Sequence, residues 1–215
     1  MGMKKNGGKA SLWVFGDSFS TPYNWNPFPL SLKYIESKGY NPPIYSELLS
    51  EWFSLSLQTM ARGGADNYSI FHTIIQNLDR IKRGDMVIVG WSSITRFRLP
   101  NESSDWVSII NTNVNDGFPT ELKQSLLIHR LNRYKAYSSE VSDWIRIINK
   151  ALEGIRVTHW TWSKDNTIGI PIFADLPTIG IKMGKGDEIF DPHYTEEGHL
   201  LLAERIRGVI KSDLL

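Results

Sequence analysis

Short apolar runs alternate along the whole chain with longer stretches of helical period. The runs fall at residues 12–15, 54–59, 86–90 and 155–160, with a weaker one at 170–173. Such runs between helical stretches are the pattern of a parallel sheet covered by helices on both faces. Between them, Ile44, Leu48, Leu49 and Trp52 share one helical face, as do Ile70, Ile74, Leu78 and Ile81. The longest helical pattern runs over 120–152, from a Thr120 cap to a stop at Gly154, and the last begins near Thr195, whose Thr-Glu-Glu-Gly reads as a cap followed by first-turn acids. Strands alternating with helices predict an α/β fold, a parallel five-stranded sheet covered by helices on both faces. No linker, repeat or low-complexity segment interrupts the pattern, so residues 1–215 read as a single domain. Two insertions, 22–43 and 96–119, are rich in aromatic and polar residues. At strand ends such loops shape substrate sites.

Composition narrows the chemistry. With 24 Lys+Arg against 23 Asp+Glu the net charge is +1, which implies no nucleic-acid partner and no anionic membrane surface. No cysteine occurs, so catalysis must use oxygen or nitrogen groups. The start, MGMKKNGGKASLWVFG, is basic like a signal peptide, but its apolar run is too short and no small-residue cleavage site follows. It reads as the start of a mature chain, cytoplasmic at synthesis. No window reaches the roughly 18 apolar residues of a membrane span.

The first strand pattern stops on Gly16-Asp17-Ser18. Turn chemistry alone explains those residue types, and chance supplies the triplet in roughly 7% of chains of this length. A histidine placed to activate the serine carries more weight. His72 and His129 lie within helical patterns and His159 closes a strand, where it could line a pocket. His193 differs: it sits in DEIFDPHYTEEGH, on a loop before the last helix, with Asp191 two residues ahead. A serine hydroxyl is nearly inert until a base takes its proton, and that base needs a carboxylate to fix its tautomer and stabilise the imidazolium. Pro192 stiffens the step between the pair, which favours Asp191 over the more distant Asp187 as the orienting group.

These residues resemble the blocks of the SGNH hydrolases, the GDSL esterases and lipases, and the resemblance runs over nearly the whole chain. It implies the flavodoxin-like three-layer α/β/α sandwich of that family, with Ser18 as nucleophile, His193 as base and Asp191 as its orienting partner. ARGGADN at 61–67 is similar to the second block, whose glycine lends a backbone N–H to the oxyanion hole; Gly63 is the better match and Gly64 the next. Two blocks depart from the family. Gly90-Trp91-Ser92-Ser93 has Ser92 where Gly-x-Asn-Asp would place asparagine, and Asp191-Pro192-His193 is one residue shorter than Asp-x-x-His. The offset of His193 from Gly198 still matches the family's base.

The resemblance implies ester hydrolysis without a cofactor or metal. The favoured substrate class is an O-acetyl ester on a carbohydrate. Trp25, Trp91 and His159, with Tyr23 and Phe28, are candidate substrate contacts, and Arg96 and Arg98 are candidates for an anionic substrate group. Ser92 in place of asparagine favours a rival, an SGNH-fold binding or structural protein such as a component of a phage particle. A flavodoxin-like phosphate binder leaves Asp-Pro-His unexplained, and a metal site at Asp191, His193 and His199 lacks a known ligand spacing. The sequence leaves the oligomeric state open.

Overall fold

In a computed structural model, residues 9–25, 29–100, 106–109, 119–164, 168–183 and 188–212 are described. Four strands form the central sheet: β1 (Ser11–Phe15), β2 (Ser56–Thr59), β3 (Met86–Trp91) and β6 (Arg156–Thr161). All pairings are parallel and the order is β2-β1-β3-β6, so β1 and β3 are central. The chain reverses its direction of travel across the sheet between β1 and β3. In open parallel sheets that crevice, at the carboxyl ends of the strands, is where ligands bind.

The expected fifth strand at 170–173 is reduced to one parallel bridge, Thr161 with Ile172. It is held by Thr161 N–H to Pro171 O at 3.0 Å and Phe173 N–H to Thr161 O at 2.9 Å. Pro171 has no N–H to donate, and Gly169 at φ +71° turns the chain just before it, so the ladder cannot lengthen.

Successive side chains of a strand point to opposite faces, and both faces of this sheet are apolar. Leu12, Val14, Met86 and Ile88 pack with Tyr45 and Leu49 of α2 (Tyr45–Trp52) and with Leu202, Ala203, Ile206 and Ile210 of α6 (Glu196–Ser212). Trp13, Phe15, Val87, Val89 and Trp91 pack with Ile70 and Ile74 of α3 (Asn67–Ile75) and with Val141 and Ile148 of α5 (Tyr134–Ala151). This double burial is why the central strands β1 and β3 read as apolar runs, whereas β2 and β6 at the edges carry polar residues such as Gln58 and Arg156.

The helix patterns hold with two changes. Helix α3 ends at Ile75 and its apolar pattern continues through a 3-10 turn, Leu78–Arg80. The long pattern at 120–152 is two helices, α4 (Thr120–Asn132) and α5, broken at Arg133; neither glycine nor proline marks the break. The insertion at 22–43 contains α1 (Pro29–Lys38), and that at 96–119 contains an antiparallel pair, β4 (Phe97–Pro100) with β5 (Trp106–Ile109). A second antiparallel pair, β7 (Thr178–Met183) with β8 (Glu188–Tyr194), precedes α6. Among the described residues no helix is long and apolar enough to cross a membrane.

Helix α6 starts as expected at Thr195, whose Oγ1 accepts from Gly198 N–H at 3.1 Å. Gly198 lies against the chain before β7: a Cβ there would stand 2.2 Å from the Pro177 carbonyl oxygen. Gly208, in the same helix, faces open space. The two glycines should therefore respond oppositely to alanine. We expect Gly198→Ala to destabilise by about 1–3 kcal/mol through overpacking and Gly208→Ala to stabilise by about 0.5–1 kcal/mol through helix propensity; urea unfolding of the two variants checks the signs.

Candidate active site

The nucleophile candidate sits on a constrained turn. Gly16 passes so close to Ser20 that a Cβ at 16 would lie 2.5 Å from its Oγ. The chain then makes one 3-10 turn, Ser18–Ser20, capped by Asp17, whose Oδ1 accepts from Phe19 N–H at 3.0 Å. The other carboxylate oxygen accepts from Arg96 Nη1 and from Trp162 Nε1, both at 2.8 Å. Asp17 is 1% exposed and Ser18 5%. The turn carrying Ser18 packs directly on β8.

His193 lies on β8, not on the loop expected from sequence. The β7–β8 register explains its aim. Thr178 pairs with Tyr194 but Gly180 with Asp191, so two steps on β7 match three on β8, a bulge in the Pro192-His193 stretch. At this bulge the Asp191 carboxylate reaches both the backbone and the ring of the residue two ahead, so an aspartate two before the histidine suffices here. His193 Nδ1 is 2.6 Å from Asp191 Oδ1, and the His193 backbone N–H donates to the same oxygen at 2.9 Å. Ser31 of α1 donates to Asp191 Oδ2 at 2.9 Å. Burial works against the Asp191 charge, yet the His193 and Ser31 hydrogen bonds hold its carboxyl below the usual range. With Nδ1–H directed at Asp191, a neutral imidazole keeps its lone pair on Nε2, the tautomer a general base needs. Phe19 packs against this ring at a tilt, with 5.0 Å between centroids. Asp187 lies outside the described residues.

The other two blocks converge on the same end of the sheet. Arg62 N–H donates to Gly16 O at 3.0 Å, which ties the Gly63-Gly64 turn to the end of β1. Gly64 has φ +74°, a left-handed value that favours glycine. The far end of this loop is tied by Asn67, which accepts from Ser92 N–H at 2.7 Å and donates to Ser92 O at 2.9 Å. Ser92 is fully buried at the end of β3. Asn67 thus commits its Oδ1 and one of its two amide hydrogens to the Ser92 backbone.

Other candidates from the sequence fall elsewhere. Trp91 and His159, expected to line a pocket, are core residues of the α5 side. Trp91 Nε1 donates to His159 Nδ1 at 3.1 Å, and His159 Nε2 is 3.0 Å from Asn149 Oδ1 on α5. Both ring nitrogens are therefore used, and burial pushes the His159 pKa down to about 4. Arg96 is the ion-pair partner of Asp17, its guanidinium 5.2 Å from the Trp162 ring centre. Trp25 is exposed, on a 3-10 turn Tyr23–Trp25 just after the nucleophile turn, while Phe28 lies outside the described residues. His199 is caged by Tyr23, Tyr45 and Tyr194, at 5.4–6.1 Å between centroids; burial and the neighbouring His193 charge push its pKa down to about 3. Among the described residues no cluster of His, Asp or Glu could hold a metal ion. Sequence reasoning missed Ser31, Trp162 and the clamp by Asn67. Nothing local marks Ser31 or Trp162, since their partners lie 160 and 145 residues away.

The sequence matches no protein-family model and no curated protein. Solved structures do match. One is a carbohydrate esterase described as having an active site with divergent catalytic and non-catalytic binding functions: TM-score 0.50, 12% identity, covering 94% of this chain and 68% of its own. A family two carbohydrate esterase from Clostridium thermocellum, in complex with cellohexaose, gives TM-score 0.46 and 12% identity over 95% of this chain and 64% of its own. A protein from Desulfitobacterium hafniense assigned to the lipolytic G-D-S-L family gives 0.37 and 12%, over 94% and 99%.

The two buried neutral histidines generate a pH prediction. An unfolded histidine titrates near 6.5, well above His159 at about 4 and His199 at about 3. Below pH 6.5 the unfolded chain binds protons that the folded chain does not, so stability is fully present above that pH and falls as pH drops from 6.5 toward 4. Urea unfolding at pH 7 and pH 5 should show the loss. In His199→Phe the pH slope should shrink by up to about 1.4 kcal/mol per pH unit, one proton's worth; an unchanged slope would mean that His199 does not stay neutral in the fold.

Proposed function

We propose that this chain, whose fold is that of the SGNH/GDSL hydrolases, is a serine ester hydrolase. The observation that carries the reading is the His193–Asp191 pair, 2.6 Å apart and buried against the turn of Ser18 through Phe19. We read the architecture as the three-layer α/β/α sandwich of that family, with the bridge at Ile172 standing in for a fifth strand.

In this reading Ser18 Oγ attacks the ester carbonyl carbon while its proton passes to His193 Nε2. Asp191 holds the resulting imidazolium. The carbonyl oxygen becomes an oxyanion, met by the backbone N–H groups of Ser18 and Gly63, with Gly64 beside them, and by Ser92 Oγ. One such donor is typically worth about 2.7–4 kcal/mol in the transition state. Collapse breaks the ester C–O bond, and His193 returns the proton to the departing alkoxide as an alcohol. Water, deprotonated by His193, then attacks the acyl-serine and releases the acid and free Ser18. No cofactor enters these steps. The favoured substrate is a small acyl ester, O-acetyl above all, on a carbohydrate, in line with the carbohydrate esterase matched at TM-score 0.50. Exposed Trp25 is placed to meet a sugar face.

The second reading, a binding or structural protein on the same fold, is favoured by Ser92, which offers one hydroxyl in place of an amide. A fluorophosphonate probe separates the two. Labelling mapped to Ser18 is expected, and folded protein that stays unlabelled between about pH 6 and 9, the range over which an ordinary histidine loses its proton, would favour the binding protein.

Kinetics on a short p-nitrophenyl ester test the roles. Ser18→Ala and His193→Ala should abolish turnover with the fold kept. Asp191→Asn should cost on the order of 10⁴, as the wrong tautomer does in a well-studied triad, whereas Asp187→Asn should cost little. Ser31→Ala should lower kcat about tenfold, the cost of one lost hydrogen bond to a charged group, and Ser31→Thr should retain it. Near-normal turnover in Asp191→Asn would remove Asp191 from the mechanism.

A further inference from the structure

A cavity of about 270 Å³ lies beside the nucleophile turn, walled by Asn67 and Tyr68 at the start of α3, by Arg98, and by Arg130, Tyr137 and Trp144 of α4 and α5. Two residues link it to the proposed chemistry. Asn67 holds the backbone of Ser92, and Arg96, in the same wall, reaches Asp17 at 2.8 Å. The volume is just under the roughly 300–1,000 Å³ typical of small-molecule pockets, room for one ring-sized substituent and not for an oligosaccharide.

Arg130 decides what kind of substituent fits. Its Nε donates to Ile94 O at 2.7 Å and its guanidinium lies over Tyr137, 4.0 Å from the ring centre. Its terminal amino groups have no hydrogen-bond partner among the described residues. Stacking occupies the face of a guanidinium and leaves its edge as a fork of donors that matches a carboxylate. The acids nearby do not fill that role. Asp66 caps α3 by accepting from Ser69 N–H at 2.7 Å, and Glu140 is exposed to solvent. Burial depresses the Arg130 pKa despite both of them, so the cation is under-compensated where it stands. Arg96 is already neutralised by Asp17. Arg98 lies flat on Tyr68, 3.5 Å from its ring centre. With two carboxylates in the same wall, the edge of Arg130 suits a monoanion better than a phosphate dianion. The rings of Tyr137 and Trp144 supply apolar wall for a sugar.

We propose that this cavity receives the carboxylate of the substrate, with Arg130 as its bidentate partner, so that the esters hydrolysed are carried on acidic sugars. The proposal rests on the esterase reading for its chemistry, but the site can be tested without turnover.

Calorimetric titration of the unmodified protein with glucuronate, glucose and glucose 6-phosphate reads the cavity directly. The expected result is glucuronate binding at least tenfold tighter than glucose and tighter than the phosphate, weakening as salt is added, with the preference lost in Arg130→Gln and partly kept in Arg130→Lys. Equal affinity for glucuronate and glucose, no glucuronate binding, or tighter binding of the phosphate overturns the proposal. In turnover, the preference for acetylated glucuronate over acetylated glucose should fall about tenfold or more in Arg130→Gln. An unmodified enzyme that cleaves both esters equally loses the carboxylate site and keeps the esterase. Glucuronate binding by a protein whose Ser18 resists the fluorophosphonate keeps the carboxylate site and loses the esterase.

Discussion

A carboxylate with almost no solvent contact sits at the end of the first strand, and it must be paired. Burying an unpaired Asp17 costs several kcal/mol even after relaxation. Its donors come from three parts of the chain: the Phe19 amide of its own turn, Arg96 after β3, and Trp162 just beyond β6. Satisfying this one group therefore draws together the carboxyl ends of three strands of the sheet. Trp162 then stacks on Phe19 at 4.6 Å, and Phe19 meets the His193 ring at a tilt, 5.0 Å between centroids. A chain of ring contacts thus runs from the buried ion pair to the imidazole of His193.

The departures from the SGNH pattern have local physical reasons. An aspartate three residues before its histidine needs a turn between them; two residues before needs an extended segment, and β8 is extended. The bulge opposite Gly180 bends the strand there, as bulges do next to functional sites. Ser31, brought in by α1, occupies the second oxygen of Asp191, so both carboxylate oxygens are used. At the third block, the smaller Ser92 side chain comes with an asparagine at position 67 that braces its backbone from both sides. The rigidity of the strand end comes from Asn67 even though the amide donor of the family does not.

Three of the five histidines are buried near the sheet, and their surroundings divide their chemistry. His159 has both nitrogens engaged by neutral groups and His199 is enclosed by tyrosine rings, so desolvation keeps each uncharged. Only His193 has a carboxylate on its ring. That carboxylate separates the surroundings of His193 from those of the two core histidines more sharply than exposure does.

The apolar runs at 12–15 and 86–90 were enough to mark the two central strands, because strands buried on both faces tolerate no polar interruption. Thr195, Gly198, Gly16 and the Asp191–His193 spacing were legible for a similar reason: each is a constraint within a few residues of chain. The role of Arg96 was not, since nothing near 96 says that its partner is Asp17. Nor was the fate of His159 and Trp91, whose strand-end positions read equally as pocket or core until Asn149 of α5 arrived beside them. The helix break at Arg133 and the β7–β8 pairing belong to the same class. Period and propensity act over one or two turns of chain and survive in the sequence; ion pairs, ring stacks and strand pairings between residues far apart are chosen by packing, and only the tertiary structure decides them.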